Sequence, residues 1–331
     1  MTQLVELQEA LPKLEAAGIK LYAVSYDAPG ALADFARHHG ISFPLLSDKG
    51  SKVIRAYGIQ NHFVTREQVP YHGIPFPGTY LLDEQGVVTA KFFSRSLAMR
   101  ESAEAVIDSA VGEILLGEEE PSERGGDDEI RVSATYHGGG GNVKLGALRQ
   151  LVVRFELAPG LHLYDEPVPE GMVATRIQVS GPPDLFQAGI VKPPTRSLVL
   201  PGLDAELQVW EGRVDFAIPL WVGEEIASMV RKNPRDEIEI EVKLDYQACD
   251  DRACRVPRRE TLRVRVPVER IIGHEIPGRM PGAEISPMNS AKHMRRMVGR
   301  GLLRNPIGGI RYLRQNLRAL RAGPMGRSAG E

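Results

Sequence analysis

The chain has 331 residues and a net charge of −2, with 42% apolar and 25% charged residues. These are the proportions of ordinary globular protein, long enough for two domains and too evenly charged to suggest a nucleic-acid partner. No apolar run reaches the ~18–20 residues that span a bilayer, and two cysteines are too few for a disulfide-scaffolded secreted fold.

The first 117 residues alternate helix and strand signals. Leu4, Leu7, Leu11 and Leu14 recur at helical spacing, Gly18 closes the pattern, and Pro12 should kink it. KLYAVSYD follows, suited to a buried parallel strand. PGALADFARHHG predicts a helix ending at Gly40, FPLLSD an extended piece, and KGSKVIRAYGI a short third helix. GTYLLDEQGVVTAKFF predicts a β-hairpin turning at Glu84-Gln85-Gly86, and SAEAVIDSAVGEILLG a last helix. The order is α-β-α-α-β-β-α. MTQLVELQEALPKLEAAG is amphipathic and acidic, unlike a signal peptide.

Residues 118–129 are acidic, carry a Gly pair and read as a solvated linker. From 130 to 272 the pattern becomes short strands with Gly/Pro turns. EIEIEVKLDY and TLRVRVPV alternate strictly, as strands with one buried face do. Many strands without a convincing helix predict an antiparallel β-sandwich. Residues 273–331 form a basic tail, with ten Lys/Arg between Lys292 and Arg327. Pro306, Gly308 and Gly309 interrupt its helical spacing, so a partly disordered or self-docked tail is expected. An amphipathic helix for a membrane surface or an acidic partner is the alternative.

HGGGGN, His137 to Asn142, lies between strand signals and is expected to be a flexible hairpin loop. The eight histidines show no metal spacing, so none is assigned a catalytic role. There is no nucleophile elbow, no phosphate loop and no cofactor motif. Cys249 and Cys254, the only cysteines, stand apart in YQACDDRACRVP. They flank a four-residue connection and can approach closely enough for a disulfide. A structural or free pair, a working dithiol and, least of all, a metal site stay open on spacing alone. Asp250 and Asp251 should raise a thiol pKa, whereas Arg252 and Arg255 should lower it.

YQACDDRACRVP resembles the active-site segment of the DsbD N-terminal domain, through Tyr246, Gln247, Cys249, Cys254 and Pro257. GLHLYDEPVPEG and GRVDFAIPLWV are similar to strands of that family. The resemblance spans about residues 130–270 and implies an immunoglobulin-like sandwich. It also implies that the pair passes reducing equivalents between thioredoxin-like partners, with Cys254 attacking the partner. LPGLDAEL is then the counterpart of a cap loop over the thiols, with Leu203, Asp204 and Glu206 beside them.

LYAVSYDAPGALADFARHHGISFPLLSD and IPFPGTYLLDEQGVV resemble the AhpC/TSA redoxins, which implies a thioredoxin fold. Pro77 would be the cis-proline bordering the active site, followed by Thr79. In that family a strand and a nucleophilic cysteine motif precede the helix that here opens the chain. The expectation is therefore a domain lacking its first strand and cysteine motif, with a Cys- or selenocysteine-containing motif encoded upstream. A complete but degenerate redoxin is the alternative. Together the two resemblances imply an α/β thioredoxin-like domain (1–117), the linker, an all-β sandwich (130–272) and the tail.

The expected function is thiol–disulfide exchange with thioredoxin-like proteins, or between the two domains themselves. A peroxiredoxin-like antioxidant activity would need the upstream motif. A docking module with a structural disulfide is the competing reading. The sequence shows no export signal, which by default means the cytoplasm, whereas a DsbD-like module would suit the periplasm.

Overall fold

A computed structural model describes residues 2–64, 73–93, 99–199, 206–223, 226, 237–250 and 252–268, with Pro306, Ile307, Ile310 and Arg314 of the tail. The rest of the expected tail lies outside the described residues, as do Leu203 and Asp204. The described residues fall into two compact units. One lies within Met1–Ile19 and Thr79–Ile271, the other within Lys20–Gly78 and Ile272–Glu331.

In the first unit, α1 (Thr2–Glu9) and α2 (Leu11–Ala16) divide the opening helix, with Pro12 in the first turn of α2, where its missing N–H is harmless. In the second unit, β1 (Ala23–Ser25) and α3 (Pro29–His39) lead to β2 (Leu45–Ser47), which pairs with β1 in parallel. Gly40 ends α3 in the left-handed region, at φ 63°. The Asp48 carboxylate accepts from the Val53 and Ile54 N–H groups and opens α4 (Lys52–Ala56). KLYAVSYD was expected to be buried, yet its Tyr22 and Val24 are each about half exposed, as is Leu46 of the paired β2. A two-stranded sheet has no central strand, so its apolar faces are incompletely covered.

β3 (Thr79–Leu82) and β4 (Val88–Phe92) form the expected hairpin, whose turn is closed by Asp83 accepting from Gln85 and Val87. The four strands of residues 1–117 thus make two separate two-stranded sheets. This region is α/β, but a continuous thioredoxin-type sheet is not formed among the described residues. α5 (Ala103–Val111) starts at Ser102, whose hydroxyl accepts from Ala105 N, and ends at Gly112.

The acidic stretch is only partly a linker, because Ser122–Gly126 forms β5 and pairs along β6 (Ile130–His137). The largely β region continues with β7 (Arg149–Leu157), β8 (His162–Tyr164), β9 (Arg176–Ser180), β10 (Leu185–Gln187), β11 (Arg196–Val199) and β12 (Glu206–Glu211). It ends with β13 (Arg213–Val222), β14 (Glu237–Tyr246), β15 (Ala248–Cys249) and β16 (Arg258–Pro267). Three antiparallel sheets result, ordered β10-β13-β7-β6-β5, β11-β12-β8-β15 and β16-β14-β9. Strict alternation buries Ile238, Ile240, Val242, Leu244 and Tyr246 of β14 against Phe155 and Phe216 of the first sheet. Leu163, Trp210 and Ala248 join the same core from the second sheet.

HGGGGN holds a single 3-10 turn, Gly139–Gly141. All four glycines have positive φ, which brings the backbone onto the buried Arg149 guanidinium. A Cβ at Gly139 would lie 2.2 Å from Arg149 Nη2. Arg149 in turn donates to Glu6 of α1 at 2.8 Å. Beside it, His137 is 1% exposed and held on both nitrogens by carboxylates. Asp108 of α5 lies 2.8 Å from Nε2, and Glu120 of the acidic stretch 2.8 Å from Nδ1.

Burial opposes a charge on His137, but the two carboxylates outweigh it and raise its pKa to about 9. A free histidine titrates near ~6.5. The resulting stabilisation is complete below that value and is lost as pH rises through about 9. We expect the unfolding free energy to decline between pH ~7 and ~10 for this reason. His137→Gln should flatten that decline and cost on the order of 3 kcal/mol at pH ~6, read from urea melts of the whole protein. Equal stability of parent and variant at that pH would show that the cluster is neutral.

Candidate active site

β14 ends at Tyr246, Gln247 intervenes, and the two-residue β15 carries Ala248 and Cys249 antiparallel to β8. After four intervening residues Cys254 returns opposite Cys249. Asp250 N donates to Ala253 O at 3.0 Å, and Arg255 N donates to Ala248 O at 2.8 Å. Between those two bonds the cysteines form a non-hydrogen-bonded pair, the position where facing Cα atoms come closest. Their Cα atoms are 3.9 Å apart, and the sulfurs are joined at 2.07 Å.

The turn is built by its own charges. Asp250 Oδ1 accepts from Arg252 N and Ala253 N, each at 2.8 Å, as Asx turns do. Arg255 reaches back to Asp250 at 3.0 Å and to Glu129 at 2.9 Å. These backbone donors, Ala253 first, together with Arg255, pull the Asp250 pKa down to about 2. Glu129 and then Asp250 hold Arg255 above its ordinary value. Charges expected to oppose one another at the thiols therefore neutralise one another in the turn. Asp251 lies outside the described residues. Gln247 braces the segment, accepting from Val173 N at 3.0 Å and donating to Arg255 O at 2.9 Å.

The two sulfurs have different surroundings. Cys249 is 1% exposed and belongs to a small apolar cluster with Tyr164, Leu207 and Val209, whereas Cys254 is exposed. Tyr246, expected beside the site, faces the main core instead. It is fully buried, packs edge-on to Phe155 at 5.2 Å and donates its hydroxyl to Glu260. Burial, then Glu260, raises its pKa. Strand alternation explains the difference, since Tyr246 and Ala248 continue the core-facing row of β14.

Of the expected cap, Glu206 opens β12 opposite Val199 and is exposed. Leu207 is buried in the Cys249 cluster. Pro77 follows the bridge between Gln60 and Pro75, in a stretch without regular secondary structure. Its peptide is not cis, correcting the expectation, and the cis bond among the described residues is Glu166–Pro167. Without a tight turn to impose cis, the trans form of an X–Pro bond is favoured by about 0.5–1 kcal/mol. Thr79 begins β3, paired with Phe92. Among the described residues no group of three or more His, Cys, Asp or Glu is placed to hold a metal ion.

The residues that sequence reasoning missed are His162 and Tyr164. Cys249 pairs with His162 across β15 and β8, and His162 pairs with Glu211 across β8 and β12. His162 Nε2 is 2.8 Å from the Tyr164 hydroxyl, and both residues are buried. The signal was present in HLY, because alternate residues of a strand share a face.

Two family models match the chain. That of the AhpC/TSA family covers residues 1–91, and that of the thiol:disulfide interchange protein DsbD, N-terminal, covers residues 142–265. The chain joins an AhpC/TSA redoxin region to a DsbD N-terminal domain. The redoxin region is similar to the thiol-disulfide oxidoreductase ResA of Bacillus thuringiensis subsp. konkukian, 28% identical over 25% of this chain and 40% of that protein. It is 29% identical to the chloroplastic peroxiredoxin Q of Populus jackii, over 26% of this chain and 37% of that protein. To the putative peroxiredoxin bcp of Coxiella burnetii it is 35% identical, over 24% of this chain and 50% of that protein. The chain thus spans half or less of the length of these relatives.

Among solved structures, the N-terminal periplasmic domain of ScsB from Proteus mirabilis aligns at 17% identity and TM-score 0.31, covering 44% of this chain and 51% of that one. The reduced DsbD N-terminal domain of Neisseria meningitidis aligns at 16% and 0.23, covering 46% and 95%. At such TM-scores no geometry is transferable.

Because the Asp250 carboxylate holds the turn that presents Cys254 to Cys249, Asp250→Ala should make the disulfide easier to reduce. We expect the concentration of dithiothreitol needed for half-reduction to fall by about threefold or more, from the lost local preorganisation. The effect should be constant from pH ~5 to ~9, since the carboxylate is ionised throughout. An unchanged midpoint would show that the turn closes without Asp250.

Proposed function

We propose that this protein is a thiol–disulfide relay working through Cys254 and Cys249, with thioredoxin-like dithiol proteins as partners. The observation that carries this reading is the asymmetry of the pair, one sulfur presented on a turn and the other buried behind it. That is the arrangement sequential exchange needs. In the reduced protein the Cys254 thiolate attacks a disulfide sulfur of the partner, and the partner's second sulfur leaves as a thiolate. Cys249, as a thiolate, then attacks the Cys254 sulfur. The bond to the partner breaks, the partner leaves as a dithiol, and the cysteine pair is left oxidised by two electrons. Running the steps backwards recharges the pair.

A purely structural role is disfavoured by loop length. Two cysteines separated by five positions close so short a loop that the entropic stabilisation is only roughly 2 kcal/mol, under half of that for a ~100-residue loop. Residues 1–91 contain no cysteine, so no thiol step is assigned to the redoxin region. Its redoxin kinship supports an oxidoreductase setting and no particular substrate.

Two measurements test the relay. The reduction potential of the intact protein should lie above about −300 mV, whereas a fixed structural bridge would lie below it. With a thioredoxin that holds a disulfide, Cys249→Ser should accumulate a mixed disulfide through Cys254. Cys254→Ser should trap it more slowly by about tenfold or more, because thiol exchange depends on access. Equal trapping by the two variants would reverse or abolish the assigned roles.

A further inference from the structure

The relay leaves one step unprovided for. Cys249 must ionise before it can attack, yet it is buried in an apolar cluster, where desolvation disfavours a thiolate. The chemistry of the neighbouring strands supplies a partner. Cys249 and His162 are directly opposed across β15 and β8, so their side chains leave the same face of the sheet. Cβ atoms in such pairs lie about 4.5–5.5 Å apart. The adjoining register on the other side places Glu211 opposite His162. Arg196 of β11 forms an ion pair with Glu211. One row of the sheet therefore reads thiol, imidazole, carboxylate, and the guanidinium reaches it diagonally, since Arg196 itself stands opposite Val209.

We propose that His162 takes the proton of Cys249 during exchange, with Glu211 stabilising the imidazolium that forms. The inference rests on the relay reading and assigns its second step. The Cys249 S–H bond breaks, and its proton passes to the imidazole ring. The thiolate attacks the Cys254 sulfur, and the partner's sulfur departs with the electron pair of the broken S–S bond. In the reverse direction the imidazolium returns the proton to Cys249 as it leaves.

The other charged and titratable groups around the row are compatible with this. Tyr164, on the same face of β8, is bonded to His162 Nε2, and burial pushes its pKa up to about 12. It stays neutral, and its hydroxyl can donate to imidazole or accept from imidazolium. Arg196 first, and His162 in addition, hold Glu211 below the usual carboxylate range. Asp250, Arg255 and Glu129 compensate one another within the turn. A nucleophile, a base and a carboxylate in line are the recurrent means of activating a weak nucleophile. Here they come from three neighbouring strands.

The test uses the intact, chemically reduced protein and the aromatic disulfide 5,5′-dithiobis(2-nitrobenzoate), so no biological partner is required. The first equivalent of released aryl thiolate reports attack by Cys254, and the second reports attack by Cys249 on the mixed disulfide. His162→Phe should slow the second release about tenfold near neutral pH and move its pH midpoint upward, leaving the first release unchanged. Glu211→Gln, a substitution at a partly exposed side chain, should move the same midpoint in the same direction by less. In the parent protein, the NMR titration of the His162 ring should differ between the disulfide and dithiol forms, because coupling of two sites is reciprocal.

The proposal is overturned if both releases keep the parental rates and pH profiles in His162→Phe. Equal slowing of both releases would also overturn it, because that marks a general structural effect. If His162→Phe does not fold, an unmoved midpoint in Glu211→Gln together with an unchanged His162 titration would be decisive against it. A fixed structural bridge would show itself separately, by a potential below the threshold given above, without altering these releases.

Discussion

The pairing of β15 with β8 is the constraint on which the candidate site depends. It is two residues long, yet it fixes which way each side chain of YQAC points. Ala248 falls on the core side with Leu163, and Cys249 falls on the opposite side with His162. A slip of one residue would exchange these faces, placing the sulfur in the main core and emptying the small cluster around Tyr164. Gln247 opposes such a slip, since it is bonded at once to Val173 and to the strand returning after Cys254. The cysteine ladder, the asymmetry of the sulfurs and the row through His162 all follow from that register.

Much of the β region was legible because its strands are amphipathic. In EIEIEVKLDY every second residue is buried, as the alternation dictates. The cysteine turn was legible as a turn, and its Asp at the first loop position is a residue with a known local use. What could not be read was the register between strands distant in sequence. Nothing in HLY or QVWE by itself says that His162 and Glu211 stand side by side next to Cys249. Tyr246 illustrates the converse. Its nearness to Cys249 in sequence suggested a place at the site, and the two-residue period of a strand sends it into the core.

The α/β region was less faithfully legible. Its helices and hairpin occur in the order read from periodicity, but apolar runs identify strands without specifying what covers them. Val24 and Leu46 belong to apolar strands that a many-stranded sheet would bury on both faces, and here the sheet has two strands. Conversely, the acidic composition of residues 118–129 concealed β5. Ser122–Gly126 carries charge yet gains backbone pairing along β6, which composition alone cannot reveal. Glycines at HGGGG, commonly a mark of looseness, are required because the chain must turn tightly over a guanidinium.

The doubly clamped His137 gives this last region a property of its own. One carboxylate comes from α5 and the other from the stretch just before β5, so the histidine closes a non-covalent ring around residues 108–120. Severing a peptide bond inside that ring, for instance at the exposed Gly117, would leave both ends attached to the same buried imidazolium. Each fragment would have to abandon a compensated charge in order to leave. A single nick should therefore yield two polypeptides on a denaturing gel that still travel as one particle under native conditions, and alkaline solution should separate them.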